Sequence, residues 1–173
     1  MKKRINTHEY FMAIALLASL RSTCVRRKVG CVAVKDKHVI ATGYNGAISG
    51  MDHCTQESCY RLKNNIPSGE MLDRCYAVHA EQNVICQAAI HGKSLKGATV
   101  YITTTPCLTC LKLLAQIGIK EIYCYDGDYP QLDLAKKICE QCNIILNTTY
   151  FKYYKINLEE LFEKINYKNH KIC

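Results

Sequence analysis

The chain of 173 residues has no apolar run long enough to cross a bilayer. The stretch from Phe11 to Leu20 is ten residues, and a spanning helix needs about 20. A secretion leader is not expected either. Lys2-Lys3-Arg4 ahead of that stretch imitates one, but His8 and Glu9 interrupt the approach and no small-x-small cleavage site follows. Acidic residues are scarce, 15 against 23 lysines and arginines, which leaves a net charge of +8. Such a balance favours anionic ligands in general, or simply a solvated lysine-rich surface. The basic residues are not interleaved with aromatics as in a single-strand binder, so nucleic acid is not an expected partner. The H-E-x-x-H pattern of zinc peptidases is also absent. What remains is a chain of one-domain length, expected in the cytoplasm with no membrane association.

Cysteine, by contrast, is abundant. Twelve cysteines without a leader point to a reducing compartment and metal sites, not to a disulfide scaffold. Two short stretches organise them: His79-Ala80-Glu81 and Pro106-Cys107-Leu108-Thr109-Cys110. His79, Cys107 and Cys110 are three soft zinc donors. A closed structural site needs four, and three protein ligands plus an open position is the catalytic arrangement. Glu81 follows the histidine closely enough to act on a metal-activated water without binding the metal. The spacing H-x-E followed by P-C-x-x-C is that of zinc nucleobase deaminases. Taken alone, Cys107 and Cys110 fit a redox pair or a buried pair, and His79 fits a core histidine; neither reading gives Glu81 a purpose. The expected chemistry is hydrolysis at an amidine-like carbon such as C4 of cytosine, with Glu81 moving protons to the ring nitrogen and the departing amine.

Periodicity supplies the scaffold. Residues 7–21 read as an amphipathic helix with Tyr10, Ile14, Leu17 and Ala18 on its apolar stripe and Thr7 as N-cap. Val29–Val34 and Val39–Thr42 read as a hairpin closed by Lys35-Asp36-Lys37-His38. Residues 47–75 show little periodicity, and a loop of that length inside a compact domain is expected to be functional. Further expectations are a helix over 79–91, a strand over 98–103, a helix opened by Pro106 and running to 117, a strand over 121–125, a helix over 131–141 and a strand over 144–146. The sum is a three-layer α/β/α fold on a mixed five-stranded sheet. It occupies residues 1–149, with 47–75 as an insertion loop and 150–173 as a tail carrying a weak helix near Leu158 to Ile165.

With Arg21-Ser22-Thr23-Cys24, Val29-Gly30, Thr42-Gly43-Tyr44-Asn45-Gly46, His53-Cys54, His79-Ala80-Glu81-Gln82-Asn83, Gly97-Ala98-Thr99-Val100-Tyr101 and the Pro106-Cys107-x-x-Cys110 segment in view, the sequence resembles the deoxycytidylate (dCMP) deaminase family. It looks closest to the bacterial branch that includes a late-competence protein of the ComE operon. The resemblance runs from about Tyr10 to Leu146. It implies a cytidine deaminase-like fold and conversion of dCMP and water to dUMP and ammonia, feeding thymidylate synthesis. It also implies a catalytic Zn2+ on His79, Cys107 and Cys110, Glu81 as proton shuttle, and Asn45, Ala80 and Tyr129 against the substrate. Hexamers switched on by dCTP and off by dTTP are common in that family, but this chain ends its 79–91 helix with Ala88-Ala89-Ile90-His91, without the family's usual basic residue.

Cys24, Cys54, Cys59 and Cys75 lie upstream of the catalytic histidine, enough for a closed structural Zn2+ that would pin the 47–75 loop. His53 is an alternative fourth ligand, and free buried thiols are the reading without metal. Cys139 and Cys142 form another C-x-x-C, read as structural for want of a partner histidine. Arg26, Arg27 and Lys28 are phosphate candidates by charge alone, beside the reading of a solvated turn. Two rivals remain: a same-fold deaminase for cytidine, a riboflavin intermediate or a tRNA base, and a non-catalytic zinc module, which leaves Glu81 unexplained.

Overall fold

The computed structural model describes residues 4–127, 130–153 and 156. In chain order the elements are α1 (Thr7–Ser19), β1 (Gly30–Lys35), β2 (His38–Tyr44), β3 (Gly46–Ala47), α2 (Tyr60–Lys63), a 3-10 turn (Leu72–Arg74), β4 (Ala77–Val78), α3 (Ala80–Ile90), β5 (Thr99–Thr104), α4 (Leu108–Gln116), β6 (Glu121–Asp126), α5 (Leu132–Gln141), β7 (Ile145–Asn147) and α6 (Tyr150–Tyr153). The main sheet has five strands in the order β2-β1-β5-β6-β7. Both neighbours of β1 run antiparallel to it, whereas β5, β6 and β7 are parallel and joined by helical crossovers. This is the mixed five-stranded sheet expected from the sequence.

Strand alternation builds two cores. Cys31 and Ala33 of β1, Val100 and Ile102 of β5, and Ile122 and Cys124 of β6 enter one buried cluster with Val84, Leu111, Leu114 and Ala135 from α3, α4 and α5. Val32, Val34, Tyr101 and Tyr123, the residues in between, enter the other with Phe11, Met12 and Ala15 of α1 and Phe151 of α6. Phe151 is only 1% exposed, so the first turn of the segment read as a tail is packed against the sheet. The helix expected near Leu158 lies outside the described residues.

Three local expectations change. The N-cap of α1 is Asn6, not Thr7: its side chain accepts the Glu9 N–H and Glu9 returns a bond to the Asn6 N–H, each 2.9 Å, a reciprocal capping box. The buried face of α1 carries Phe11, Met12 and Ala15, while Tyr10 and Leu17 are 49% and 41% exposed. This helix is apolar nearly all round, so spacing alone does not choose a face. Close approach does: a Cβ on Gly30 would strike the Ala15 carbonyl oxygen and lie 2.6 Å from the Ser19 nitrogen, so the turn from Ala15 to Ser19 is the part of α1 that lies over the start of β1. Pro106 stands before the cap of α4 instead of in its first turn, because Cys107 is the N-cap. The hairpin is as expected, with Asp36 and Lys37 at φ 50° and 64° between the paired Lys35 and His38, the geometry of a type I′ turn.

A second close approach seats α3. A Cβ on Gly43 would stand 2.5 Å from the Ala80 carbonyl oxygen and 2.8 Å from the Val84 nitrogen, with backbone on both counts. The Asn83 amide reinforces this seat by donating to the Tyr44 carbonyl at 2.6 Å. Gly43→Ala is therefore expected to lower unfolding stability by about 1–3 kcal/mol, the usual scale of overpacking. A denaturant midpoint unchanged from that of the parent chain would refute the close-approach argument.

Candidate metal centre and its cavity

Helix starts deliver the donors. His79 is the N-cap of α3, and its backbone N–H is held by the Gln82 side chain at 2.8 Å. Cys107 caps α4, and its sulfur accepts the Cys110 N–H at 3.5 Å. Free N–H groups and the positive end of each helix favour thiolate there. The His79 Nδ1 lies 3.5 Å from the Cys107 Sγ and 3.4 Å from the Cys110 Sγ. All three ligand atoms are within 4.8 Å of one another, the only such group among the described residues. Zinc–nitrogen and zinc–sulfur bonds at a tetrahedral angle require nitrogen–sulfur separations of about 3.6 Å. The residues present fit zinc.

Electrostatics agree with the geometry. The Cys110 thiol and the His79 imidazole, both bonded to the Cys107 sulfur, push the Cys107 pKa down to about 4 despite burial. Cys110, donating to that thiolate and buried, is pushed far up. His79 is raised mainly by its bond to Cys107, with the charge of Arg61 acting in the opposite sense. Glu81 is 3% exposed, and burial raises its pKa to about 7.

His79, Glu81 and Cys107 open onto a cavity of about 270 Å³ that also takes in Asn45, Ala80, Arg26 and Arg61. Asn45 is buried and fully engaged: its Oδ1 accepts from the Ser22 hydroxyl (2.7 Å) and the Val29 N–H (2.8 Å), while its Nδ2 donates to the Arg27 carbonyl (2.8 Å). It fixes the turn before β1 at the cavity's edge. Arg27 lines the cavity and pairs with Asp126 at 2.7 Å, whereas Lys28 is exposed and does not line it. Tyr129 lies outside the described residues. Cys24, Cys54, Cys59 and Cys75 come near one another: burial raises the Cys54 pKa, and the charges of Cys75, Cys24 and Cys59 raise it further. No three of them close to within 4.8 Å. Sequence reasoning missed Arg61, which is 8% exposed, and Thr104 and Thr105 on the cavity wall. No pattern announces them; Arg61 follows Cys59 inside the aperiodic loop, where only its enclosure marks it out.

Replacing Cys110 by serine removes a buried soft donor and should strip this metal, whereas Cys86→Ser, at an exposed thiol of α3, should not. Metal content of the two purified variants decides; equal zinc in both would refute the assignment.

Comparison with known proteins points the same way. Residues 5–126 match the cytidine and deoxycytidylate deaminase zinc-binding region. ComE operon protein 2 of Bacillus subtilis is 41% identical over 143 residues, 82% of this chain and 70% of that protein. The deoxycytidylate deaminase of Schizosaccharomyces pombe is 44% identical over 115 residues, 65% of this chain but only 35% of that enzyme's length. The dCMP deaminase of cyanophage S-TIM5, solved in complex with dCMP and dUMP, superposes with a TM-score of 0.66 at 29% identity, covering 84% of this chain and 98% of that one. With its metal donors, sheet and sequence in accord, the chain belongs to the zinc-binding cytidine and deoxycytidylate deaminase family.

Proposed function

We propose that the chain hydrolyses dCMP to dUMP and ammonia. The observation that carries this reading is Glu81, a carboxyl enclosed beside three zinc donors in a cavity that also holds two arginines without acidic partners among the described residues. His79, Cys107 and Cys110 would hold a zinc ion, which when bound would supply the Lewis acidity that lowers the pKa of a water toward neutrality. Glu81, with its pKa raised by burial to about 7, takes the water proton and releases it to the pyrimidine ring nitrogen. It then takes the second proton from the oxygen that has added to the ring carbon and gives it to the amine, which leaves as ammonia. Burial of the carboxyl favours this exchange, because a carboxyl near pKa 7 both accepts and gives a proton at physiological pH. Asn45 and Ala80 form part of the wall against which the nucleotide rests.

The same reading includes a second zinc on Cys24, Cys54, Cys59 and Cys75, supported by their mutual influence on Cys54. Metal binding there would draw the four sulfurs together and fasten the 47–75 loop. A homo-oligomer in the cytoplasm, with dCTP and dTTP as effectors, belongs to this reading through the family resemblance.

Glu81→Gln keeps size and hydrogen bonding but cannot cycle a proton, so kcat for dCMP should fall about 10²–10⁴-fold while zinc content holds. Loss of cytosine absorbance, followed with dCMP, cytidine and dCTP side by side, reads the rate. Cytidine turned over in preference to dCMP would displace the nucleotide reading. The parent chain should carry two zincs and Cys54→Ser one; a single zinc in the parent would sink the second site.

A further inference from the structure

Thr103, Thr104 and Thr105 close β5 and lead into Cys107, and two of the three are committed to the scaffold. The Thr103 hydroxyl accepts the Gly30 N–H at 3.1 Å, which ties β5 to β1. The Thr105 hydroxyl donates to the Asp126 carbonyl at 3.3 Å, which ties the same segment to β6. The hydroxyl between them is not committed. Thr104 is 8% exposed, and its Oγ1 is enclosed without a hydrogen-bond partner among the described residues. The residue lines the cavity that holds Glu81 and His79. Strand alternation sets its face, because Val100 and Ile102, earlier on β5, enter the core shared with α3 and α4. Ile102 is flanked in register by Cys31 and Cys124. Burial raises the pKa of both thiols and the charge of Glu81 raises each further, so that carboxyl lies close to the row. Thr104 follows Ile102 on the same face, at the end of the strand that leads to the metal donors.

A buried hydroxyl without a partner is costly, and on a cavity wall the missing partner is a polar group of whatever fills the cavity. A staggered turn about χ1 presents the Thr104 hydroxyl to such a group without moving the backbone. Which group it meets follows from the reading of dCMP as substrate, on which this inference rests. With C4 of the base turned to the three donors and N3 to Glu81, the amine and the C5–H are left for the strand that leads into Cys107, and O2 lies beyond N3. Of the two, only the amine is polar. We propose that the Thr104 hydroxyl accepts an N–H from the exocyclic amine of the base, and so selects a 4-aminopyrimidine and orients its leaving group. A neutral acceptor suits that position. It serves the amine in the substrate and ammonia at departure alike, whereas a carboxylate there would retain ammonium through a charge-assisted bond. The Thr103 and Thr105 bonds on either side hold the backbone at this point to both neighbouring strands.

The test uses the zinc-loaded chain with Thr104→Val, which removes the hydroxyl at nearly constant shape, and Thr104→Ser, which keeps it. For dCMP, kcat/KM should fall about 3- to 10-fold in the valine variant and stay within about 2-fold of the parent in the serine variant, the scale of one neutral hydrogen bond. Calorimetry in a Glu81→Gln background, where turnover is blocked, compares dCMP with the deoxynucleotide of pyrimidin-2-one, which carries hydrogen in place of the amine. Thr104→Val should weaken dCMP by the same factor and leave the pyrimidin-2-one nucleotide unchanged. The unfolding midpoint of nucleotide-free Thr104→Val should not fall, because no partner is lost. A lowered midpoint, equal weakening of both ligands, or a serine variant as impaired as the valine one overturns the proposal. Turnover of dCMP with kcat/KM kept in Thr104→Val would overturn the amine contact and leave the reaction standing. If the parent chain turns over no dCMP, the reaction assignment fails, and a dCMP preference lost in Thr104→Val still upholds the contact. Absence of both turnover and dCMP binding would overturn both.

Discussion

Two helices that begin within a few ångströms of each other impose the main constraint on this molecule. His79 and Cys107 are both N-caps, so the metal donors occupy the residues where backbone N–H groups are unspent and thiolate is favoured. Such a site is only as exact as the seating of its helices. Gly43 under α3 and the alternating β5 and β6 core under α4 provide that seating. The metal chemistry is therefore tied to the packing of each helix on the sheet. An added methyl group at Gly43 would act on the centre through Ala80 and Val84 without touching a donor atom.

Enclosure has opposite consequences for acid and base groups in the same cavity. Burial favours the neutral form of Glu81, which prepares it to exchange a proton. Arginine has no accessible neutral form, so the same enclosure leaves Arg61 charged and in need of an anion. A nucleotide monophosphate carries a ring that takes protons at one end and a phosphate at the other. That division matches a wall with a titrating carboxyl and a wall with fixed cations.

Much of this was legible in the sequence, for identifiable reasons. The metal donors and Glu81 were readable because their spacing is local: an H-x-E at one helix start and a C-x-x-C at the other. The sheet was readable because short β-rich runs such as Val29–Val34 end at turn residues, although Cys31-Val32-Ala33-Val34 is apolar throughout and only the structure divides it between two cores. The face of α1 was not, since that helix is apolar on more than one side and Gly30 on another element made the choice. Arg61 was not readable either. Its enclosure results from how an aperiodic loop folds back over the cavity, and a lone arginine in such a loop ordinarily signals only a solvated surface.

The loop itself has a physical logic that composition alone obscures. Between Ala47 and Ala77 the structure contains only α2 and a 3-10 turn, each too short to bury an apolar face of its own. Its buried residues include Cys59, Ile66 and Arg61, too little apolar surface to fix a segment of this length. Cys24, Cys59 and Cys75 come near Cys54, and under the proposed second zinc metal–sulfur bonds would replace hydrophobic burial as the source of order. Such a loop can place a charged side chain in an enclosed position where an apolar core would resist it. Charge is then delivered to the cavity by one segment, and the two helix starts are left free to hold the metal.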